Sequence, residues 1–210
     1  MIKVAYSNVE KLDLKKSYPI LPPFRKNKVS RLMFDKDKKL SCGAYLLLKK
    51  MLEEYGIHNP LLKTEKYEKP YISNYPNLHF NLSHSGKYVA CTISDRKVGI
   101  DIEYNDPRID LSIAKNFFFN KEYEAIINSN NSANEFFKYW VLKESYMKYT
   151  GLGFNLELNS FEIVIDDKIK LRNDKNNIKF SLFDINDYKL AVASKYPVEE
   201  CVEYDVKSLY

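Results

Sequence analysis

The chain has 210 residues, 45% of them hydrophobic and 29% charged, which is enough to bury a core as one domain or as two small ones. No apolar run reaches membrane-spanning length, and Met1-Ile2-Lys3-Val4-Ala5-Tyr6 has the pattern of a strand, not of a signal peptide, so a cytoplasmic protein is expected. Cys42, Cys91 and Cys201 are odd in number and lack metal-ligand spacing, which argues against a disulfide framework and for reduced thiols. The formal charge of +5 is concentrated: residues 15–39 hold nine Lys or Arg against two Asp. Such a run is either a solvated face or a site for a polyanion, and charge alone does not choose between them.

In chain order, residues 2–6 read as a strand. Pro19, Pro22 and Pro23 are expected to interrupt regular structure until the basic segment from Arg25 onward. Residues 40–55 carry a helical pattern through Leu40, Ala44, Leu47, Leu48 and Met51, closed by Gly56. Strands are expected at 79–82, 88–94 and 98–103, the last two joined as a hairpin by Asp95-Arg96-Lys97. Helices follow near 110–118, 121–128 and 134–149. Asn120 is placed as N-cap of the second, and Gly151 stands just past the third. Strands at 161–165, 168–171, 178–183, 188–193 and 201–206 complete the chain, with turn chemistry at Asp166-Asp167 and Asn186-Asp187. Helices first and antiparallel strands after, twice over, predict an α+β chain of two similar lobes, residues 1–103 and 104–210, with a ligand cleft at their seam.

Three segments carry chemistry. In Val98-Gly99-Ile100-Asp101-Ile102-Glu103 the apolar residues share one strand face and the two carboxylates the other. In the helix containing Trp140, Glu144 and Lys148 these residues recur at i, i+4 and i+8. Where strand and helix meet, three carboxylates and an ammonium converge, a set suited to a hard divalent cation and a phosphate ester. Each part also has an ordinary reading: solvated strand carboxylates, a helix-stabilising Glu–Lys pair, a core Trp. The third segment, Phe80-Asn81-Leu82-Ser83-His84-Ser85-Gly86, ends a strand in hydroxyls and an imidazole able to bond phosphate oxygens. It lacks a third orienting group for a nucleophile triad.

In this order and spacing the chain resembles the larger, surfactin-synthetase-activating type of 4′-phosphopantetheinyl transferase: a Ser-His turn, then Gly-x-Asp-x-Glu (99–103), then Trp-x-x-Lys-Glu-x-x-x-Lys (140–148). The resemblance also takes in Lys69-Pro70-Tyr71-Ile72, Ile113-Ala114-Lys115 with Phe117-Phe118 and Glu122, and Gly151-Leu152-Gly153. It covers most of residues 25–154. It implies transfer of the phosphopantetheine arm of coenzyme A to a serine of an apo carrier protein, releasing adenosine 3′,5′-bisphosphate. It implies Mg²⁺, or Mn²⁺ in its place, on Asp101, Glu103 and Glu144, with Lys148 at the pyrophosphate. Glu144 would act as base on the serine, with Glu122 a second candidate. Ser83 and His84 would bind coenzyme A phosphates, with Arg25, Lys28 and Lys39 at the 3′-phosphate and Lys69 near the adenine.

By the same resemblance the chain is expected to be a monomer whose single site lies between its lobes, acting on an acidic peptidyl or acyl carrier protein and on neither nucleic acid nor membrane. The Phe-rich segment 113–119 is expected to be core in part and a carrier-docking patch in part. Two readings from other classes stand beside this one. A Mg²⁺-dependent phosphodiesterase or nuclease would use the same carboxylates with water as nucleophile. A non-catalytic nucleotide or nucleic-acid module would use the basic run and be indifferent to Glu144.

Overall fold

The computed structural model describes every residue except Glu68, and Phe154 through its backbone alone. The chain is a mixed α+β protein. It opens with β1 (Ile2–Asn8) and α1 (Leu14–Ile20), started by Asp13, whose carboxylate accepts from Lys15 N at 2.9 Å. The prolines do not keep this region irregular. Pro19 falls in the last turn of α1, where the helix is already ending, and Pro23 opens α2 (Pro23–Ser30) at a position whose N–H has no helical partner. The long helix α3 (Asp35–Glu54) starts five residues before its apolar pattern does, with Asp35 and Asp37 in its first turn, where the positive end of the helix favours them. Leu40, Ala44, Leu47, Leu48 and Met51 are all buried, as their spacing predicts.

After a small ribbon of β2 (Leu62–Thr64) and β3 (Pro70–Ile72) come β4 (His79–Ser85), β5 (Tyr88–Ser94) and β6 (Val98–Tyr104). The expected β5–β6 hairpin does not form. The hairpin is β4–β5, turned through Gly86 at φ +58°. A two-residue loop with a left-handed glycine matches the twist of paired strands, whereas Asp95-Arg96-Lys97 carries the chain out of the sheet. The first sheet has the order β11-β1-β5-β4, and the second is β6-β10-β9. The strand bearing Asp101 and Glu103, which the sequence assigns to the N-terminal lobe, therefore belongs to the second sheet.

The second half runs α4 (Ser112–Phe117), α5 (Asn120–Ile127), α6 (Ser132–Thr150), the ribbon β7 (Ile163–Ile165) and β8 (Ile169–Leu171), then β9 (Lys179–Ile185), β10 (Tyr188–Ser194) and β11 (Val202–Glu203). Asn120 is the first residue of α5, not its cap. The cap position is Phe119, whose N–H donates to Glu122 three residues on. Gly151 ends α6 in the left-handed conformation, as expected. The last strand is shorter than its pattern and returns to the first sheet, parallel to β1.

The two sheets face each other. Val4, Tyr88 and Ala90 of the first pack on Val98, Ile100, Ile102, Leu190 and Val192 of the second. Helix α3 covers the outer face of the first sheet through Leu47, Leu48, Val89, Cys91 and Ile93, and α6 covers the second through Val141, Leu142, Ala191 and Ala193. Gly99 sets the approach of α6. A Cβ there would stand 2.0 Å from Ser145 O and 2.3 Å from Tyr149 N, so only glycine lets the helix backbone lie on β6.

Candidate functional site

Each sheet has one edge at the seam, β4 of the first and β6 of the second, and side chains join them where no ladder does. Asn81 Oδ1 accepts from Ile100 N at 2.9 Å, Ser83 Oγ donates to Asp101 Oδ1 at 2.8 Å, and Ser85 Oγ donates to Glu103 Oε2 at 2.7 Å. Ser85 Oγ also accepts from Tyr104 N at 3.2 Å. Asn81 and Ser85 thus satisfy two backbone N–H groups of the neighbouring edge, and Ser83 and Ser85 hold its two carboxylates. Asp101 and Glu103 emerge from β6 toward α6, which supplies Glu144 and Lys148. The Lys148 ammonium lies 2.6 Å from Asp101 Oδ1 and 2.9 Å from Ser83 Oγ.

The charges are crowded. Burial, then the negative charge of Asp101, pushes the Glu103 carboxyl up to about 7 against the opposing pull of Ser85 and Lys148. Burial and Asp101 likewise push Glu144 up to about 6. Asp101 Oδ2 and Glu144 Oε1 are buried without a hydrogen-bond partner. Among the described residues no three His, Cys, Asp or Glu side chains are drawn up as a finished metal-binding group. Even so, two orphaned carboxylate oxygens and two carboxyls held above their ordinary range fit a divalent cation, which would give those oxygens a partner and favour their charged form.

His84 is exposed at the end of β4. Desolvation, then the cations of Lys148 and Lys28, holds its imidazole below the ordinary value. Arg25 lies 5.4 Å over the Tyr45 ring. Its Nε and the Oγ of buried Ser41 on α3 are both without a partner, and the sequence gives no reason to single out Ser41. Lys39 donates to Glu10 O at 2.6 Å and lines a cleft of about 420 Å³ with Gly86, Lys87 and Tyr188. Lys69 caps the end of α6, donating to Lys148 O at 2.5 Å and Val98 O at 3.1 Å.

Glu122 does not join the group. It is 1% exposed, pairs with Lys143 at 2.9 Å, and accepts from Phe119 N and Ile163 N. Trp140, on the helix face of Glu144 by spacing, stacks on Phe136 and Phe118 as packing. The contact of Tyr188, whose hydroxyl accepts from Lys87 N at 3.2 Å behind the Ser-His turn, has no local signal in the sequence.

Carboxylates, an ammonium and hydroxyls meeting at the seam between two β-edges are a set suited to a phosphate ester and a hard cation. Comparison with known proteins narrows the class. Residues 97–193 match the 4′-phosphopantetheinyl transferase superfamily, and residues 9–95 match the family described as 4′-phosphopantetheinyl transferase, N-terminal. The break between the two falls where the chain leaves the first sheet for the second. The chain is 35% identical over 141 residues to the 4′-phosphopantetheinyl transferase Sfp of Bacillus subtilis (strain 168), covering 64% of this chain and 62% of that one. It is 30% identical over 164 residues to the 4′-phosphopantetheinyl transferase ffp of Bacillus subtilis, covering 74% and 73%. It is 34% identical over 162 residues to a Xenopus laevis L-aminoadipate-semialdehyde dehydrogenase-phosphopantetheinyl transferase, covering 67% and 53%. The chain thus spans 62% of the length of Sfp. It belongs to the 4′-phosphopantetheinyl transferase family.

Proposed function

We propose that the protein transfers the 4′-phosphopantetheine arm of coenzyme A to a serine of an apo carrier protein and releases adenosine 3′,5′-bisphosphate. The observation that carries this reading is the meeting of Asp101, Glu103, Glu144 and Lys148 with Ser83, two of the carboxylate oxygens being buried and unpartnered. Asp101, Glu103 and Glu144 would hold Mg²⁺, which when bound neutralises charge on the pyrophosphate. Lys28, Arg25 and His84 receive the 3′-phosphate. Lys148 reaches the pyrophosphate and offsets charge on the leaving phosphate.

The carrier serine oxygen forms a new bond to the β-phosphorus as the bond from that phosphorus to the bridging oxygen breaks. The bridging oxygen leaves with the α-phosphate on adenosine 3′,5′-bisphosphate. The serine proton passes to Glu144, the carboxylate with an unpartnered oxygen on the helix that also bears Lys148.

The two halves are proposed to be similar lobes with the site between them. The hairpins β4–β5 and β9–β10 have the same length and register, His79 facing Ser94 and Lys179 facing Ser194. β1 borders β5 as β6 borders β10, and α3 and α6 cover corresponding outer faces. On this division β6 belongs to the second lobe, and the C-terminal strand closes the first. A monomer is then sufficient. The carrier, acidic on its surface, is proposed to dock on Phe117 and Phe119, which are 55% and 38% exposed on either side of buried Phe118. The test is to incubate the protein with Mg²⁺, coenzyme A and an apo peptidyl carrier protein and weigh the carrier intact. Gain of one phosphopantetheine group, lost with EDTA or on carrier Ser→Ala, is expected. An unmodified peptidyl and acyl carrier would refute the reading.

A further inference from the structure

Helix α6 is held from two sides. On one, its backbone rests on Gly99 of β6. On the other, Lys143, adjacent in sequence to Glu144, enters the core with none of its side chain exposed. Its ammonium donates to Leu158 O at 2.7 Å and Phe161 O at 2.8 Å, and pairs with Glu122 Oε2 at 2.9 Å. It also lies 4.2 Å over the Phe161 ring. Glu122 in turn accepts from Phe119 N, at the start of α5, and from Ile163 N, at the start of β7. Every polar atom of the pair has a partner. Two opposite charges therefore tie α5, the 158–161 turn and β7 to one residue of α6. A buried ion pair contributes little stability compared with apolar residues of the same shape, and specifying geometry is a role such a pair can serve.

We infer that Glu122 and Lys143 are a positioning pair that fixes the rotation of α6, aiming Glu144 and Lys148 at Asp101, and that Glu122 does not take the serine proton. Successive residues on a helix point about 100° apart. Locking Lys143 into the core therefore sets where Glu144 faces. The enclosure of Glu122 supports the same assignment: both its oxygens are occupied by backbone N–H groups and Lys143, leaving no route for a carrier serine. The inference rests on the transferase reading for its kinetic arm and on geometry alone for its binding arm.

The test compares Glu122→Gln, Lys143→Met and the apolar pair Glu122→Leu/Lys143→Met. Transfer rates are measured across pH, with coenzyme A KM, Mn²⁺ affinity and thermal midpoint. Each single change strands a buried charge or its partners and should lower the midpoint by about 10 °C. It should also weaken Mn²⁺ and reduce kcat at least tenfold, with KM changed less than threefold. The pH–rate profile should keep its shape at a lower plateau, because no group that touches the substrate has been altered. The double variant should regain at least tenfold of the kcat and most of the Mn²⁺ affinity lost by either single variant.

A double variant as inactive as Glu122→Gln, with a restored midpoint, would make Glu122 a participant in the chemistry and overturn the inference. So would loss of the acid limb in Glu122→Gln, which decides the matter if the double variant does not fold. Unchanged Mn²⁺ affinity and rates throughout would show that the pair positions nothing. If the unaltered protein itself transfers nothing, the transferase reading fails, and Mn²⁺ affinity across the same variants still decides whether the pair orients α6.

Discussion

Gly99→Ala isolates the contact that brings the two halves of the site together. The new Cβ would meet Ser145 O at 2.0 Å, Tyr149 N at 2.3 Å and Lys148 C at 2.9 Å, all backbone atoms of α6 that no rotamer change can move. A carbon approaches a carbonyl oxygen to no less than about 3.3 Å, so the helix must retreat by roughly 1.3 Å. Carried rigidly, that displacement stretches the 2.6 Å Lys148–Asp101 contact beyond hydrogen-bond range. Overpacking of this kind costs about 1–3 kcal/mol, or about 2–12 °C in thermal midpoint for a chain of this size. A misplacement of about 1 Å at reacting groups costs on the order of 100-fold in rate. The assay is the initial rate of carrier modification by intact mass, with a melt of the same sample. The expected result is a rate loss near 100-fold. Wild-type rate and midpoint together would refute the close approach and the argument built on it.

Glu144→Gln should reduce transfer by at least 100-fold while leaving the thermal midpoint within a few degrees, measured by the same mass assay. Arg25→Ala with Lys28→Ala should weaken coenzyme A about tenfold more than 3′-dephospho-coenzyme A in direct titrations. Equal losses would remove these residues from the 3′-phosphate. Stability without metal should fall as pH rises through the site's titration. Glu103 and Glu144 stand near 7 and 6 in the folded protein against 4.5 when unperturbed, so between about pH 4.5 and 7 the folded state holds more protons than the unfolded one, and stability drops with pH. The loss is on the order of a few kcal/mol. Mg²⁺ at pH 8 should restore it, and EDTA should abolish the restoration. A melting midpoint that, in EDTA, varies with pH no differently in Glu103→Gln/Glu144→Gln than in the unaltered chain would contradict the crowding of these carboxylates.

Elements whose information is local could be read from the residues alone. Alternation placed Val98, Ile100 and Ile102 inward and Asp101 and Glu103 on the opposite face. The i, i+4 spacing put Glu144 and Lys148 on one helix face, and Gly151 marked the end of that helix. Motif order carried the family, because each motif lies within a dozen residues and its spacing survives in one dimension. Which strand pairs with which was not legible, since pairing is a contact between distant residues. Gly86-Lys87 is a stronger local hairpin signal than Asp95-Arg96-Lys97, but only the facing sheets decide that β6 leaves its sequence neighbour for β10. The same limit hid Glu122. As a carboxylate between catalytic motifs it reads as a base, and only the burial of Lys143 beside it makes it half of an internal ion pair. Lys69, chosen for a ligand, likewise caps α6 through carbonyls more than seventy residues away. Local pattern fixed which side chains carry charge and which way each faces on its own element. Which charges meet depends on packing between elements, and no local window contains that.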